Sequence, residues 1–342
     1  MSAVADGGRA AGLWTMAWRR FCGDAGGLAS GVEVAAYFVL ALAAGLGWIA
    51  TDWAKEIGVS YALPSFAAGM PAASDRVRTP SPAGIAVDDF GIADPLEADL
   101  ADLRRGLAAA PAPEPRLATL PLGGDKWGRD VLQKTLKGLQ TSVLVGLASA
   151  FLAAFIGTLF GAQAGYFGGG TDAFFNWLYS VFTSIPYLLL ILSIAAVLNQ
   201  KGTATVVLIL GLTGWTGIFR LVRAEYMKHK VREYVQAADA IGASHLSRMY
   251  AHILPNVGHV VLVQLSLHVV LFIKSEVILS FLGFGVGVET VSWGSMINEA
   301  QSELLNGRWW QLAAATAAMA GLVTAFSLLT DALRDALDPR LT

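Results

Sequence analysis

The chain has 342 residues, 55% of them hydrophobic and only 15% charged, with a mean hydropathy of +0.54. That balance excludes an ordinary soluble domain. Its 24 basic residues nearly cancel 26 acidic ones, so net charge marks no nucleic-acid partner, and the single Cys22 excludes an intrachain disulfide framework or a cysteine-based metal cluster.

Residues 1–30 are rich in Gly and Ala, with Arg9, Arg19 and Arg20 and helical character near Trp14 to Phe21. They read as a cytoplasmic N-terminal segment. Residues 31–52 form the first transmembrane anchor, apolar to Ala50 apart from Glu33 and long enough for one crossing at about 20 residues. The run is longer than the apolar part of a signal peptide, so it is read as retained. Three arginines before it place the N-terminus inside. Residues 53–123 form a long outer loop. Nine of the chain's twelve prolines fall between 53 and 125, which argues against a tight independent core and for a loop or small cap. Helical character between Pro95 and Leu107 stops at Pro111, Pro113 and Pro115.

Residues 124–140 hold Gly128, Arg129 and Asp130, then an amphipathic stretch. Val131, Leu132, Thr135 and Leu136 share a face, with Lys134 and Lys137 turned away, as in an interfacial helix; a polar linker is the alternative. Asp130 and Arg129 either cap that helix or touch a docking protein, and capping is the favoured reading.

Residues 141–334 read as a five-span core, and 335–342 as a cytoplasmic tail. The spans are Ser142–Ala164, Phe175–Leu198, Thr203–Phe219, Val257–Phe284 and Trp310–Leu329. With the anchor this predicts an all-α, polytopic transmembrane bundle of six spans. Gly157, Gly161 and Gly165 recur every four residues, a spacing that lets helix backbones approach closely. Pro186 predicts a kink in the third span. Lys274 and Glu276 lie two apart and so on different faces. Glu276 either lines the path or holds the outer end of the bundle, whereas Lys274 snorkels. Pro186, Glu276, Ser280 and Gly283 are the candidate path or gate residues.

Alternation from an inner N-terminus puts residues 220–256 inside, with six Lys/Arg against three acidic residues. The C-terminus is inside and Gly285 to Arg308 outside. Within 220–256, residues Lys230 to Gly242 predict a helix gathering Tyr234, Ala237, Ala238 and Ile241 on one side, with Gly242 ending it. A second short helix starts from Ser244 as cap, and Pro255 bounds the next span. Such a pair is either a docking lever for a soluble partner or an amphipathic loop on the headgroups. The chain has no G-x-x-x-x-G-K-[ST] phosphate loop. Its five histidines lack ligand spacing, so no metal site is expected.

The inner loop resembles the Glu-Ala-Ala loop of ABC-transporter permeases through Gln236-Ala237-Ala238, Gly242 and Leu254-Pro255. Gln236 stands where that pattern has an acid and His252 where it has Ile, so no salt bridge is carried over to position 236. Gly128-Arg129-Asp130, Glu233-Tyr234, Ala243, Glu276, Leu279 to Gly285 and Trp293-Gly294 narrow the resemblance to the second permease of the dipeptide/oligopeptide/nickel branch. It covers about Gly124 to Leu341.

The resemblance implies a MetI-like importer permease fold in a bacterial cytoplasmic (inner) membrane. It implies a homologous second permease, two cytoplasmic ATPase subunits and an extracytoplasmic substrate-binding protein as partners, besides the lipid bilayer and with no nucleic acid. The ATPase-coupling residues it implies are Glu233, Tyr234, Gln236, Ala237, Ala238, Gly242, Ala243, Leu254 and Pro255. The expected function is import of di- or oligopeptides, without enzymatic activity, and with ATP and Mg²⁺ bound only by the ATPases. The same architecture importing nickel-chelates, glycosides or peptide-like antibiotics is an alternative. A membrane scaffold without transport is a rival, and a secondary transporter another, although the inverted repeats and paired broken helices of that class are not visible.

Overall fold

The computed structural model describes residues 13–67, 99, 116–287 and 289–337. Short helix α1 (Leu13–Gly23) leads into α2 (Ala25–Gly45), whose first turn is capped by Asp24 accepting from the Gly26 N–H at 3.0 Å. After α2 come strands β1 (Gly58–Pro64) and β2 (Leu117–Leu120), paired in parallel with Gly58 opposite Leu117 and Pro64 opposite Leu120. The 53–123 stretch therefore contains sheet as well as loop. The helix expected within 95–107 lies outside the described residues apart from helical Asp99.

Helix α3 (Val131–Phe167) has 37 residues. At 1.5 Å per residue it is about 55 Å long, well beyond the ~30 Å hydrocarbon core. The expected interfacial helix is thus the first turns of this span, because no breaker separates it from the apolar run. The amphipathic pattern turned Lys134 outward; instead it is buried at 1% exposure, while Leu132 is exposed. Buried partners for its ammonium outweigh the local pattern.

Helices α4 (Gly169–Thr183) and α5 (Tyr187–Leu198) meet at 83° across a break ending in Pro186. The span expected to be kinked is a broken one. Proline removes a backbone donor and clashes with the preceding turn, and Ser184 already closes α4. Helices α6 (Thr203–Thr213) and α7 (Thr216–Lys230) make one crossing that continues past Phe219 to Lys230. Next come α8 (Glu233–Ala240), a π-helical stretch Ser247–Ile253 and α9 (Leu254–Phe281). Helix α10 (Trp293–Leu305) and the last span α11 (Trp310–Leu337) complete the order. Among the described residues, five segments are long and apolar enough to cross a membrane, and six if the bent pair is one crossing.

The glycine stripe explains why α3 is the central helix. A Cβ on Gly157 would sit 2.8 Å from the Trp215 carbonyl oxygen, on Gly161 2.9 Å from that of Phe219, and on Gly165 2.5 Å from that of Arg223. Both helices advance four residues per contact, so α7 lies along α3 with backbones nearly touching. Around this seam the core is aliphatic: Ala150, Ala153, Val206, Ile209, Leu210, Ile218 and Val222 are buried.

Contacts fix which ends lie together. Gly27 abuts Ala332, and Tyr166 at the end of α3 meets His245. At the opposite end Trp310 Nε1 donates to the Gly124 carbonyl at 2.8 Å, and the Gly202 N–H to that of Gly285 at 3.3 Å. The chain's helical ends, the 168–170 turn and the 231–246 loop therefore share one end. The strand pair, the 199–202 link and 283–309 share the other.

Candidate functional site

At the first end, α8 presents a compact helix whose termination is built into the sequence. The Ala243 N–H donates to the Ala238 carbonyl at 2.9 Å and the Gly242 N–H to that of Asp239 at 2.9 Å, with Gly242 at φ +85°. This paired closure needs a left-handed residue after the helix, where glycine carries no steric penalty. The expected helix from Lys230 is shorter: α7 ends at Lys230 and α8 starts only at Glu233, with Gln236 Nε2 reaching back to the Val231 carbonyl at 3.3 Å. Tyr234, Ala237, Ala238 and Ile241 do not share one environment. Val235 and Ala238 are buried inward, whereas Ala237 and Tyr234 are exposed and Ile241 is 84% exposed. Val231 and Leu246 add exposed apolar surface beside them.

The loop is tied to the spans by side chains. Asp239 pairs with Arg248 at 2.5 Å, and Arg248 and the Tyr166 hydroxyl each approach His245 Nδ1 at 2.9 Å. The Tyr226 hydroxyl donates to the Met249 carbonyl at 3.1 Å, joining α7 to the π-helical stretch. Arg223 grips Asp172 through two bonds, 2.5 and 2.7 Å, joining α4 to α7. The second short helix expected from Ser244 is this π-helical stretch: Ser244 Oγ accepts from the Ser247 N–H at 3.2 Å, and the chain runs straight into α9. Pro255 sits in the first turn of α9 at its junction with the π-helical stretch, and Leu254 packs against the core. Side-chain contacts thereby join α8 and its loop to α3, α7 and α9.

At the opposite end, Gly128 (φ +80°) lies so close to β1 that a Cβ would sit 2.0 Å from the Gly58 carbonyl oxygen. Asp130 caps α3 by accepting from the Leu132 N–H at 2.8 Å, the favoured reading. Arg129 extends over the Trp53 ring. Glu276 is fully buried. It accepts from Ser142 Oγ at 2.9 Å and Ser280 Oγ at 2.6 Å, and Ser142 Oγ in turn accepts from the Trp293 N–H at 3.3 Å. These bonds tie α3, α9 and α10 together around Glu276. Lys274 is exposed on the other face. Ser280 and Gly283 line a cavity at this end, and Pro186 stands apart at the α4–α5 break.

Sequence reasoning missed a buried charged network. Lys134 Nζ donates to Asp125 at 2.9 Å, Glu299 at 2.5 Å and Gln311 at 3.5 Å. Asp125 also accepts from the Trp127 and Arg129 N–H groups. Glu303 is fully buried nearby, and its carboxylate oxygens make no well-aligned hydrogen bond. Burial pushes its carboxyl up to about 7, against the opposing pull of Lys134 and with Asp125 and Glu299 adding to the rise. One signal was available: a lysine one turn into an apolar helix, with an aspartate nine residues before it.

These features define a multi-pass helical membrane protein whose spans are mechanically linked to a structured polar loop. Residues 133–342 match the binding-protein-dependent transport system inner membrane component family, and the chain belongs to that family. It is 37% identical over 219 residues to the dipeptide transport system permease protein DppC of Bacillus subtilis, covering 64% of this chain and 68% of that one. It is 34% identical to the oligopeptide transport system permease protein OppC of the same organism, over 64% and 71% of the two chains. The glutathione transport system permease protein GsiD of Pectobacterium atrosepticum is 33% identical over 64% and 72%. A solved structure of the MetNI methionine ABC transporter in inward-facing conformations shares the fold. Its TM-score is 0.50 at 14% identity, covering 61% of this chain and 98% of that one.

Proposed function

We propose that the chain is the permease subunit of an ATP-driven importer of peptides, forming half of the solute path beside a second, homologous permease. The observation that carries this reading is α8: closed by Gly242, apolar toward solvent at Ile241, and bonded through its loop to three spans. A soluble body seated there pushes on span ends directly. That body is one of two cytoplasmic ATPase subunits, which bind the ATP and Mg²⁺, so the chain itself holds no cofactor and performs no hydrolysis. A substrate-binding protein delivers solute at the opposite end. Nucleotide-driven closure of the ATPases then shifts the population between inward- and outward-open states.

The positive bias of residues 220–256 supports a cytoplasmic position for this end and for both termini, in a bacterial inner membrane. Peptide solutes are favoured because the relatives are named for dipeptides, oligopeptides and glutathione, all of which carry peptide-type amides and free carboxylates. Capture of the partner ATPase by the detergent-extracted chain tests the reading. Ile241→Asp and Ala237→Glu change only exposed side chains, and each is expected to lower capture and peptide uptake at least tenfold while insertion is unchanged. Full capture and uptake by both variants would remove the coupling assignment.

A further inference from the structure

The end of the bundle opposite α8 holds a cavity of about 170 Å³. Four separate parts of the chain wall it: Trp53 after α2, Arg129 and Lys134 around the start of α3, Lys201 in the α5–α6 link, and the segment from Ser280 to Glu299. Three cationic side chains therefore face a single lining carboxylate, Glu299.

The pairing among these groups is uneven. Lys134 is engaged by Asp125, Glu299 and Gln311, and Glu299 also accepts from Gln311 Nε2 at 3.3 Å. Arg129 and Lys201 have no carboxylate partner among the described residues. The Arg129 guanidinium lies over the Trp53 ring, and its Nε is buried without a hydrogen-bond partner. A buried donor left unpaired is costly, and a ligand acceptor would remove that cost. Ser280 and Asn298 also line the cavity, but their donors are already directed to Glu276 and the Phe281 carbonyl. The open donors are thus a guanidinium and an ammonium.

We infer that this cavity is a carboxylate-binding site, in which Arg129 receives the two oxygens and Lys201 supplies a second positive charge. A planar guanidinium matches a carboxylate through paired N–H···O bonds, and the Trp53 ring lies 5.9 Å from the Arg129 guanidinium carbon. The volume is below the ~300 Å³ lower end of ordinary small-molecule sites, so the cavity takes an end group rather than a whole peptide. The solute's terminal carboxylate is one source of that group, and this arm rests on the peptide-importer reading. An acidic side chain of a docking protein is the other source. Gly283 and Gly287 line the same wall with nothing within 4 Å of where a Cβ would stand, which leaves room for backbone to come close to either.

The test uses the full chain in lipid nanodiscs together with its co-expressed permease and ATPase subunits. The probes are trialanine and trialanine amide, which differ only in the terminal carboxylate, with binding read by equilibrium dialysis. Wild type is expected to bind the acid at least tenfold more tightly than the amide. Arg129→Gln should abolish that preference. Lys201→Gln should reduce it about threefold, and because Lys201 lies in an exposed link this variant leaves the folded 124–130 loop untouched. Loss of acid-over-amide preference is a signature that simple destabilisation does not produce.

The second arm measures capture of the substrate-binding protein. If both variants weaken capture while the peptide preference is unchanged, the site stands and its carboxylate comes from the docking protein. If neither variant alters peptide preference or capture, the inference is overturned. Peptide uptake by the wild-type assembly is read in parallel. Failure of uptake alone contradicts the importer reading, whereas the binding arms still decide the site.

Discussion

Lys134 and its partners show how one buried cation organises the end of the bundle opposite α8. Its ammonium joins the 124–130 loop to α10 and α11, and it is buried together with Asp125. Replacing it with Met removes the charge at nearly constant volume and leaves Asp125 uncompensated. Breaking a buried pair in this way costs about 3–5 kcal/mol, so Lys134→Met is expected to lower the unfolding temperature in detergent and the yield of folded protein. Glu303 gives a pH signature. Its folded-state carboxyl is pushed up to about 7 from 4.5, so its contribution to stability is fully present below about pH 4.5 and is lost as pH rises through 7. Thermal unfolding of Glu303→Gln between pH 5 and 8 should show a smaller decline than wild type; equal declines would remove Glu303 as the cause. Apart from Asp125, nine residues before Lys134, this network was not readable locally. The i, i+4 pairs Val131/Thr135 and Leu132/Leu136 send Lys134 outward, and Glu299 and Gln311 lie 165 and 177 residues away. Gly242 and Asp130 were readable, because helix-closing and helix-capping bonds are made within a few residues of sequence.

At the scale of elements, the α3–α7 seam is the feature most sensitive to side-chain size. Gly165→Ile introduces atoms where the Arg223 carbonyl oxygen and Tyr226 Cβ already stand 2.5 and 2.7 Å from a bare Cβ. The helices must separate, and overpacking of this kind costs about 1–3 kcal/mol or more. Gly165→Ile is expected to lower the unfolding temperature clearly, whereas Gly170→Ala, which meets nothing within 4 Å, should leave it unchanged. Equal stability of the two variants would contradict close backbone packing along the seam. The four-residue glycine spacing exposed this face in the sequence, and the apolar runs located most of the crossings. Their ends were less readable: apolar content marks what lies in lipid, while α3 and α7 continue as helix well past it. The 83° break at Pro186 was visible as a proline but not as an angle, which depends on what the two halves pack against. The π-helical stretch before α9 has no periodic signature at seven residues.

For the whole molecule, the structure sorts its loops into two ends without assigning either to a compartment. The single Cys22 is exposed at the same end as α8 and offers a direct marker. A membrane-impermeant maleimide should label Cys22 only after the cytoplasmic face is opened. Ser60→Cys in a Cys22→Ser background should label in intact spheroplasts, and the reverse pattern would invert the topology. The strand pair could not be anticipated, since β1 and β2 are separated by more than fifty residues rich in proline and their pairing is parallel. Large apolar side chains remain exposed along the spans, Phe151, Phe155 and Val197 among them, as surfaces facing lipid or a second permease require. If α8 transmits an ATPase stroke to the spans, as proposed, a site-specific crosslink should arrest it. With Ile241→Cys in the Cys22→Ser chain, a short bifunctional reagent should join position 241 to the ATPase and thereby block peptide uptake, while crosslinker-treated Cys22→Ser chain retains it. Absence of a crosslink to the ATPase, or full uptake by the crosslinked complex, would contradict it.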